Sequence, residues 1–286
     1  MSNNTKVAIV DCPRDAIQSL VYQIPTADKA AYINALIKSK LFQCIDFGSF
    51  VSEKAVPQMR DTALLIDRLD KDEDTQLLAI IANEKGAEKA IAYEKIDYLG
   101  YPFSISEIFQ QKNTRQSIAE SFDTVKRIFD IIQSRGKQEL LIYISMAFGN
   151  PYQEQWDVSL VAYWIDQLKQ IGVKNFALAD TTSQANVQGV EDLFSKMHQE
   201  FPTISFTAHL HAMPELALEK IEAAYKGGCR RFDGSILGYG GCQFAQNNLV
   251  GNIPSELLIN RFKQQESTAV LAELATSFSN MIQNGE

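Results

Sequence analysis

The chain has 286 residues, 45% of them hydrophobic, so it is long enough to bury a large core as one α/β domain or as two smaller domains. Its net charge of -8 argues against a nucleic-acid-binding face, and its longest apolar runs are too short to span a membrane. The 4 cysteines are widely spaced and no signal-peptide core precedes them, which predicts reduced thiols and a cytoplasmic location.

Short apolar runs alternate with amphipathic segments about eight times along the chain. The apolar runs have the near-continuous hydrophobic character of parallel strands that are covered by helices on their outer side. We predict strands over residues 7–10, 44–47, 77–82, 96–99, 140–144, 176–178, 204–209 and 232–236.

The segments between these strands carry apolar residues at helical spacing, most clearly over 117–134, 158–171 and 187–201. Gly136, Gly172 and Gly227 lie where helices are expected to end, because glycine readily adopts the conformations that terminate a helix.

Eight such units in this length predict a (β/α)8 TIM barrel, whose active site lies at the C-terminal ends of the strands. A doubly wound open sheet is the main alternative, but the early glycine-rich fingerprint that such a sheet often carries is absent. We predict a single domain over 1–286, with the barrel at about 6–260 and a short C-terminal helical extension at 261–286.

Two of the 3 histidines, His209 and His211, stand at i and i+2 at the end of the seventh strand. This spacing places both rings on one face of a strand, an arrangement that suits a divalent metal. Taken alone, such a pair more often consists of packed or surface histidines than of metal ligands. Asp15, after the first strand, and Asn252, after a glycine-rich loop, would add oxygen ligands.

Further polar residues close other predicted strands. Asp46 and Ser49 lie at the end of the second strand, and Asp180 and Thr181 at the end of the sixth.

The residues that carry a longer resemblance occur in order along 6–260: Val7 to Gln18, Ile45 to Ser52, Val56 to Met59, Lys112-Asn113, Ser117-Ile118, Gly149 to Tyr152, Asp180-Thr181, His209 to His211, Gly240 to Cys242, and Gly251-Asn252.

Together these motifs resemble the hydroxymethylglutaryl-CoA lyase family, which belongs to the metal-dependent carbon-carbon lyases and synthases. The resemblance implies that Asp15, His209, His211 and Asn252 hold one Mg²⁺ or Mn²⁺ ion. The implied reaction cleaves 3-hydroxy-3-methylglutaryl-CoA, or a close 3-hydroxyacyl-CoA, to acetyl-CoA and acetoacetate, a step of leucine degradation and ketone-body formation.

The resemblance also implies roles for catalytic residues. Arg14 would stabilise the enolate of the departing acetyl-CoA, and Cys242, on a loop with three glycines, would carry a proton. Cys242 has the alternative of a simple packed residue. Asp46 and Asp180 would line the site, although both also suit strand-end or helix-start positions. The expected partners are an acyl-CoA substrate and a second copy of the chain, as a homodimer or another homo-oligomer.

Several positions depart from the family pattern. Cys12 and Ala16 replace glycines, Asp46 replaces a glutamate, and Ser19 to Val21 replace a segment that contains a basic residue. Ala212 follows His211 where the family has an aspartate, so a carboxylate that would orient the histidine is absent there. The stretch from Cys242 to Asn252 is one residue longer than the pattern.

These departures leave two further functions open. A condensing synthase of the isopropylmalate or citramalate type would use the same metal and enolate chemistry, although its usual C-terminal regulatory domain has no room after about residue 265. A metal-binding barrel that has lost lyase activity is the other alternative.

Overall fold

The computed structural model describes residues 6–241, 250–263 and 267–283 of the chain. Eight parallel strands pair in sequence from β1 to β8, β8 pairs with β1, and β6 pairs with β7, so the sheet closes into a barrel. The predicted TIM barrel is confirmed, and the open-sheet alternative is wrong. The barrel strands are β1 (Ala8–Asp11), β2 (Cys44–Ser49), β3 (Gln76–Ile80), β4 (Tyr98–Ser104), β5 (Glu139–Ser145), β6 (Asn175–Asp180), β7 (Ser205–Ala212) and β8 (Arg231–Gly234).

Helices surround the barrel on its outer side, and two more follow β8. They are α1 (Pro13–Ile17), α2 (Thr26–Ser39), α3 (Thr62–Asp67), α4 (Glu84–Ala90), α5 (Glu107–Thr114), α6 (Ile118–Arg135), α7 (Val158–Ile171), α8 (Val187–Glu200), α9 (Ala217–Lys226), α10 (Ser255–Phe262) and α11 (Thr268–Gln283). None of the described helices combines the length and the apolar character needed to cross a membrane.

Local sequence explains where these helices begin and end. Ser117 and Glu120 form a reciprocal capping box at the start of α6, so two otherwise unpaired backbone N–H groups are satisfied. Gly136, Gly172 and Gly227 are the C-terminal caps of α6, α7 and α9, as predicted. Gly172 adopts φ +114°, a conformation that a residue with a Cβ rarely adopts.

Strand β4 differs most from the sequence-based prediction, which ended it at Leu99. The strand continues to Ser104 through Gly100 and Pro102, two residues that usually indicate a turn. Gly100 faces the barrel interior, where a Cβ would lie 2.6 Å from Cδ1 of Ile80. Pairing with β3 ends at Gly100, so Pro102 lies where β4 continues beside β5 alone.

Side chains alternate between the barrel interior and the helix-facing side, as the two-residue period of a strand requires. A small interior cluster includes Val10, Cys12, Leu78, Tyr143 and Ala177, whereas a much larger cluster fills the space between strands and helices. This alternation decides which polar residues at the C-terminal ends of the strands reach the mouth of the barrel.

A candidate metal centre at the mouth of the barrel

The four predicted metal ligands converge at the C-terminal end of the barrel. His209 and His211 project from β7 with ring centroids 5.3 Å apart, and Asp15 approaches from the short helix α1. One ligand atom from each of these three residues lies within 4.8 Å of the others. The i, i+2 spacing on a strand therefore produces the shared face that the sequence predicted.

Asn252 reaches the same point through a two-residue strand, β9 (Gly251–Asn252). This strand runs antiparallel to β7 and places Asn252 opposite His211. The Asn252 amide nitrogen donates to Oδ2 of Asp15 at 2.7 Å and to the carbonyl of Tyr239 at 2.9 Å. Its amide oxygen is then the atom available to a metal, since an amide carbonyl is a good ligand for a hard cation.

The chemistry of the two histidines fits a bound cation. Nδ1 of His211 donates to the carbonyl of Thr181 at 2.9 Å, which leaves Nε2 as the acceptor nitrogen. That Nε2 is buried and has no hydrogen-bond partner. Burial, and next the neighbouring His209, lower the pKa of His211 below its ordinary value. A neutral imidazole with an unpaired buried nitrogen is the form that binds a metal.

His209 is oriented by a carboxylate that the sequence analysis missed. Its Nδ1 shares a hydrogen bond of 2.9 Å with Oδ2 of Asp233, on β8. Burial lowers the pKa of His209, but the hydrogen bond and charge of Asp233, together with the charge of Asp15, raise it above its ordinary value. The sequence showed no orienting carboxylate after His211, yet β8 supplies one to the other histidine. The signal in the sequence was the two-residue period of β8, which places the charged residues Arg231 and Asp233 on the same side of the strand.

Arg14 is held beside the metal ligands by two carboxylates. Its Nε lies 3.2 and 3.0 Å from the carboxylate oxygens of Asp46, and its NH1 group donates to Oδ1 of Asp15 at 3.1 Å. Gln18 completes the arrangement by accepting from Arg14 and donating to Asp15. These contacts fix the plane of the guanidinium at the edge of the metal centre.

The charges in this cluster support one another. Burial opposes the charged form of Arg14, but Asp46 and Asp15 raise its pKa, so the guanidinium stays cationic. Burial would also raise the pKa of Asp15, but Arg14, His209 and His211 lower it to about 2. Asp15 is therefore an anionic ligand at neutral pH. Burial raises the pKa of Asp46, against the opposing effect of Arg14.

A cavity of about 330 Å³ opens over this cluster and is lined by Arg14, Asp15, His209 and His211. Tyr143 lies in its wall, with its ring edge-on to His209 at 5.3 Å and its buried hydroxyl without a hydrogen-bond partner. The remaining wall combines apolar side chains, among them Val51 and Ile80, with polar ones, among them Lys112 and Asn113. A concave cavity in which polar groups converge between apolar side chains is typical of a ligand site.

Asp180 does not lie among the residues that line the cavity. Its side chain is 1% exposed and points to the helix-facing side of β6, because Ala177 faces the interior and strand positions alternate. There it forms an ion pair with Lys220 of α9 at 2.6 Å. Thr181, the next residue, faces the cavity instead. The catalytic role of Asp180 therefore stays a prediction.

Cys242, the predicted proton carrier, lies outside the described residues. The glycines before it contact the metal centre directly. Gly240 adopts φ +93°, and a Cβ on it would lie 2.8 Å from the amide nitrogen of Asn252 and 2.9 Å from the carbonyl of Asp15. Gly241 lines the cavity. The chain that leads to Cys242 thus leaves from the mouth of the barrel.

A closed (β/α)8 barrel with two histidines, a carboxylate and an amide at its C-terminal mouth defines a metal-dependent barrel enzyme. The chain belongs to the HMGL-like family, whose model matches residues 6–283. Hydroxymethylglutaryl-CoA lyase YngG of Bacillus subtilis is 29% identical to it over 254 residues, which cover 89% of this chain and 84% of that protein.

Two further similarities point the same way. The 3-hydroxy-3-isohexenylglutaryl-CoA/hydroxy-methylglutaryl-CoA lyase of Pseudomonas aeruginosa is 30% identical over 254 residues, which cover 88% of this chain and 83% of that protein. The solved structure of an HMG-CoA lyase from Acinetobacter baumannii, in complex with coenzyme A and 3-methylmalate, matches with a TM-score of 0.88 and 28% identity. That match covers 99% of this chain and 93% of the other.

Proposed function

We propose that this protein cleaves 3-hydroxy-3-methylglutaryl-CoA, or a close 3-hydroxyacyl-CoA, to acetyl-CoA and a 3-oxo acid, which is acetoacetate for the methylglutaryl substrate. The observation that carries the proposal is the convergence of Asp15, His209, His211 and Asn252 beside Arg14 in one cavity. When bound there, a divalent cation supplies the positive charge that lowers the pKa of the substrate's tertiary hydroxyl.

The reaction is a retro-Claisen cleavage. The hydroxyl loses its proton to a base, its oxygen becomes the new ketone, and the bond between C2 and C3 breaks. The electron pair of that bond passes to the thioester carbonyl as the acetyl-CoA enolate, which then takes up a proton at carbon. Besides the cation and the base, two groups are therefore required: a fixed positive charge for the enolate oxygen and a proton donor for the carbon.

Arg14 has the position and charge for the first of these groups. Asp46 and Asp15 hold its guanidinium in one plane, and the same carboxylates keep it charged. A donor fixed before the reaction stabilises developing charge without the cost of reorganisation. Cys242 stays the predicted proton donor. The paired Asp46 is assigned to holding Arg14.

We further propose that the resident ion is Mg²⁺ or Mn²⁺, since Asp15, His209, His211 and Asn252 combine two imidazoles with carboxylate and amide oxygens. We also propose one domain over 1–286, a homodimer or other homo-oligomer, and a cytoplasmic location with a role in leucine degradation and ketone-body formation. The free, buried Cys12, Cys44 and Cys229 support a reducing location.

The test is an assay of the purified, Mg²⁺-loaded protein with 3-hydroxy-3-methylglutaryl-CoA and a panel of related thioesters, with acetyl-CoA and acetoacetate as the measured products. We expect cleavage by the wild type. We expect His209→Ala and Asp15→Ala to lose both bound metal and turnover, because each removes a ligand from one shared site.

The same preparation distinguishes the alternative functions. Formation of a condensation product from acetyl-CoA and a 2-oxo acid, without cleavage of any hydroxyacyl thioester, would identify a synthase. Normal metal content with no reaction in either direction would identify a metal-binding barrel without lyase activity. Unchanged metal content in His209→Ala would overturn the site itself.

A further inference from the structure

Lys220, on α9, is a fully buried lysine at the outer wall of the barrel, with 1% of its surface exposed. Its ammonium group donates to Oδ2 of Asp180 at 2.6 Å, to the carbonyl of His211 at 3.0 Å and to Oγ of Ser183 at 3.1 Å. Three acceptors match the three hydrogens of a charged amine, so the buried ion is completely satisfied.

The other carboxylate oxygen of Asp180 is also hydrogen-bonded. Its Oδ1 accepts the backbone N–H groups of Gln184 at 2.8 Å and Ala185 at 3.1 Å. The ion pair therefore fastens the loop that follows β6 to α9 and to the end of β7. The hydrogen bonds to both carboxylate oxygens of Asp180 therefore hold this loop in place relative to β7.

His211 is fixed twice by this arrangement. Its backbone carbonyl receives the bond from Lys220, and its ring Nδ1 donates to the carbonyl of Thr181, the residue after Asp180. One contact sets the backbone of the ligand and the other sets the rotation of its ring. The first contact comes from Lys220 itself and the second from the residue next to its partner Asp180, although neither member of the pair lines the cavity.

We propose that Lys220 is a positioning residue for the metal centre, which holds His211 in ligand geometry through Asp180 and the His211 carbonyl. The inference rests on the metal site of the proposed function. Groups that orient a metal ligand commonly change metal affinity by about 10- to 100-fold when removed. A buried ion pair that served only the fold would change stability and leave metal affinity alone.

The experiment titrates metal-free protein with Mn²⁺ alone, follows free Mn²⁺ by electron paramagnetic resonance, and measures the free energy of unfolding of the same samples. Lys220→Met is expected to weaken Mn²⁺ binding about 10- to 100-fold. It also leaves Asp180 buried without its partner, so stability falls as well. The double variant Asp180→Asn with Lys220→Met removes both charges and keeps an oxygen for Gln184 and Ala185.

The double variant separates the two roles. We expect it to regain most of the lost stability and to keep the weakened Mn²⁺ affinity, because the bond to the His211 carbonyl is still missing. Lys29→Met is the matched control. Lys29 is also 1% exposed and pairs with Asp61 and the carbonyl of Gln58, none of them a proposed metal ligand, so this variant should lose stability at unchanged Mn²⁺ affinity.

Mn²⁺ affinity in Lys220→Met equal to that of the wild type, or full recovery of affinity in the double variant, would show that the pair serves the fold alone. His211→Ala reports on the site separately. If the wild type and His211→Ala bind Mn²⁺ equally, the metal site is absent and this inference is overturned with it.

Discussion

At the scale of single residues, the position of Arg14 yields a prediction that separates binding from chemistry. Three of its nitrogens bond Asp46, Asp15 and Gln18 in a fixed plane. Lysine keeps the charge but not the planar fork, so Arg14→Lys loses the alignment of that charge with the enolate oxygen. We expect kcat to fall at least about 100-fold with a modest change in KM, as for one lost oxyanion donor.

Steady-state kinetics on the metal-loaded variant check this expectation, with metal content measured on the same sample. The metal content should stay close to that of the wild type, since Asp15 keeps Gln18 and Asn252 as partners. A near-normal kcat with a large rise in KM would instead make Arg14 a residue that binds the substrate in its ground state.

The sequence predicted most of these side chains, and the exceptions have physical causes. The histidines and Asp15 were predictable because they share one strand face or follow a strand end, whereas the role of Arg14 was predicted from the family resemblance. Asp180 also follows a strand end, but strand alternation turns it outwards, to a lysine 40 residues away. Lys220 could not be predicted, because a single lysine in an amphipathic helix gives no sign that its amine is buried. Asp233 was missed because it lies within β8 and not after the end of a strand.

At the scale of secondary-structure elements, Asp11 makes the contact between β1 and α10 sensitive to pH. It occupies the helix-facing side of β1, is completely buried, and accepts a hydrogen bond from Ser255 at the start of α10. Burial raises the pKa of Asp11 to about 8, and the bond from Ser255 offsets this only in part. The carboxyl is therefore largely protonated in the folded protein at neutral pH.

Between pH 4 and pH 8 the folded protein keeps a proton on Asp11 that the unfolded chain releases, because the pKa rises from 3.8 to about 8 on folding. The stability linked to this group is complete below pH 4 and is lost as the pH rises through 8. Asp11→Asn removes the titration. We expect the free energy of unfolding of the variant, relative to the wild type, to increase from pH 5 to about pH 8 and then to level off.

Urea unfolding across this pH range measures the difference, and the comparison cancels groups that titrate alike in both proteins. Two stability profiles that stay parallel from pH 5 to pH 9 would show that Asp11 is ionised in the folded state.

The elements themselves were predictable to different degrees. Long apolar runs predicted every barrel strand, because burial on both faces requires a continuous hydrophobic pattern. The second half of β4 was missed because Gly100 and Pro102 usually indicate a turn. Here Gly100 occupies a crowded position in the barrel interior, and Pro102 lies beyond the end of the pairing with β3. Strand β9 was missed because two residues carry no periodicity, although it positions Asn252.

At the scale of the whole molecule, the last helix packs against α2 and against Tyr239, whose carbonyl is bonded by a proposed metal ligand. Phe278 of α11 is 1% exposed, and its ring lies 5.3 Å from Tyr32 of α2 and 5.0 Å from Tyr239. Tyr239 in turn uses its carbonyl to hold the amide of Asn252. A residue near the end of the chain is thus connected through two contacts to a metal ligand. This connection supports a single domain in which the helical extension and the barrel unfold together.

Phe278→Ala tests whether α11 and the barrel unfold together. Removal of a buried aromatic ring typically costs about 3–5 kcal/mol, which for a domain of this size corresponds to a fall in Tm of about 10 °C. If the extension belongs to the domain, far-ultraviolet circular dichroism and tyrosine fluorescence should report one coincident transition in wild type and variant, shifted together. Asn280→Ala, on the exposed side of the same helix, is the matched control and should leave Tm nearly unchanged. Two separate transitions, or a variant with the Tm of the wild type, would show that α11 folds independently of the barrel.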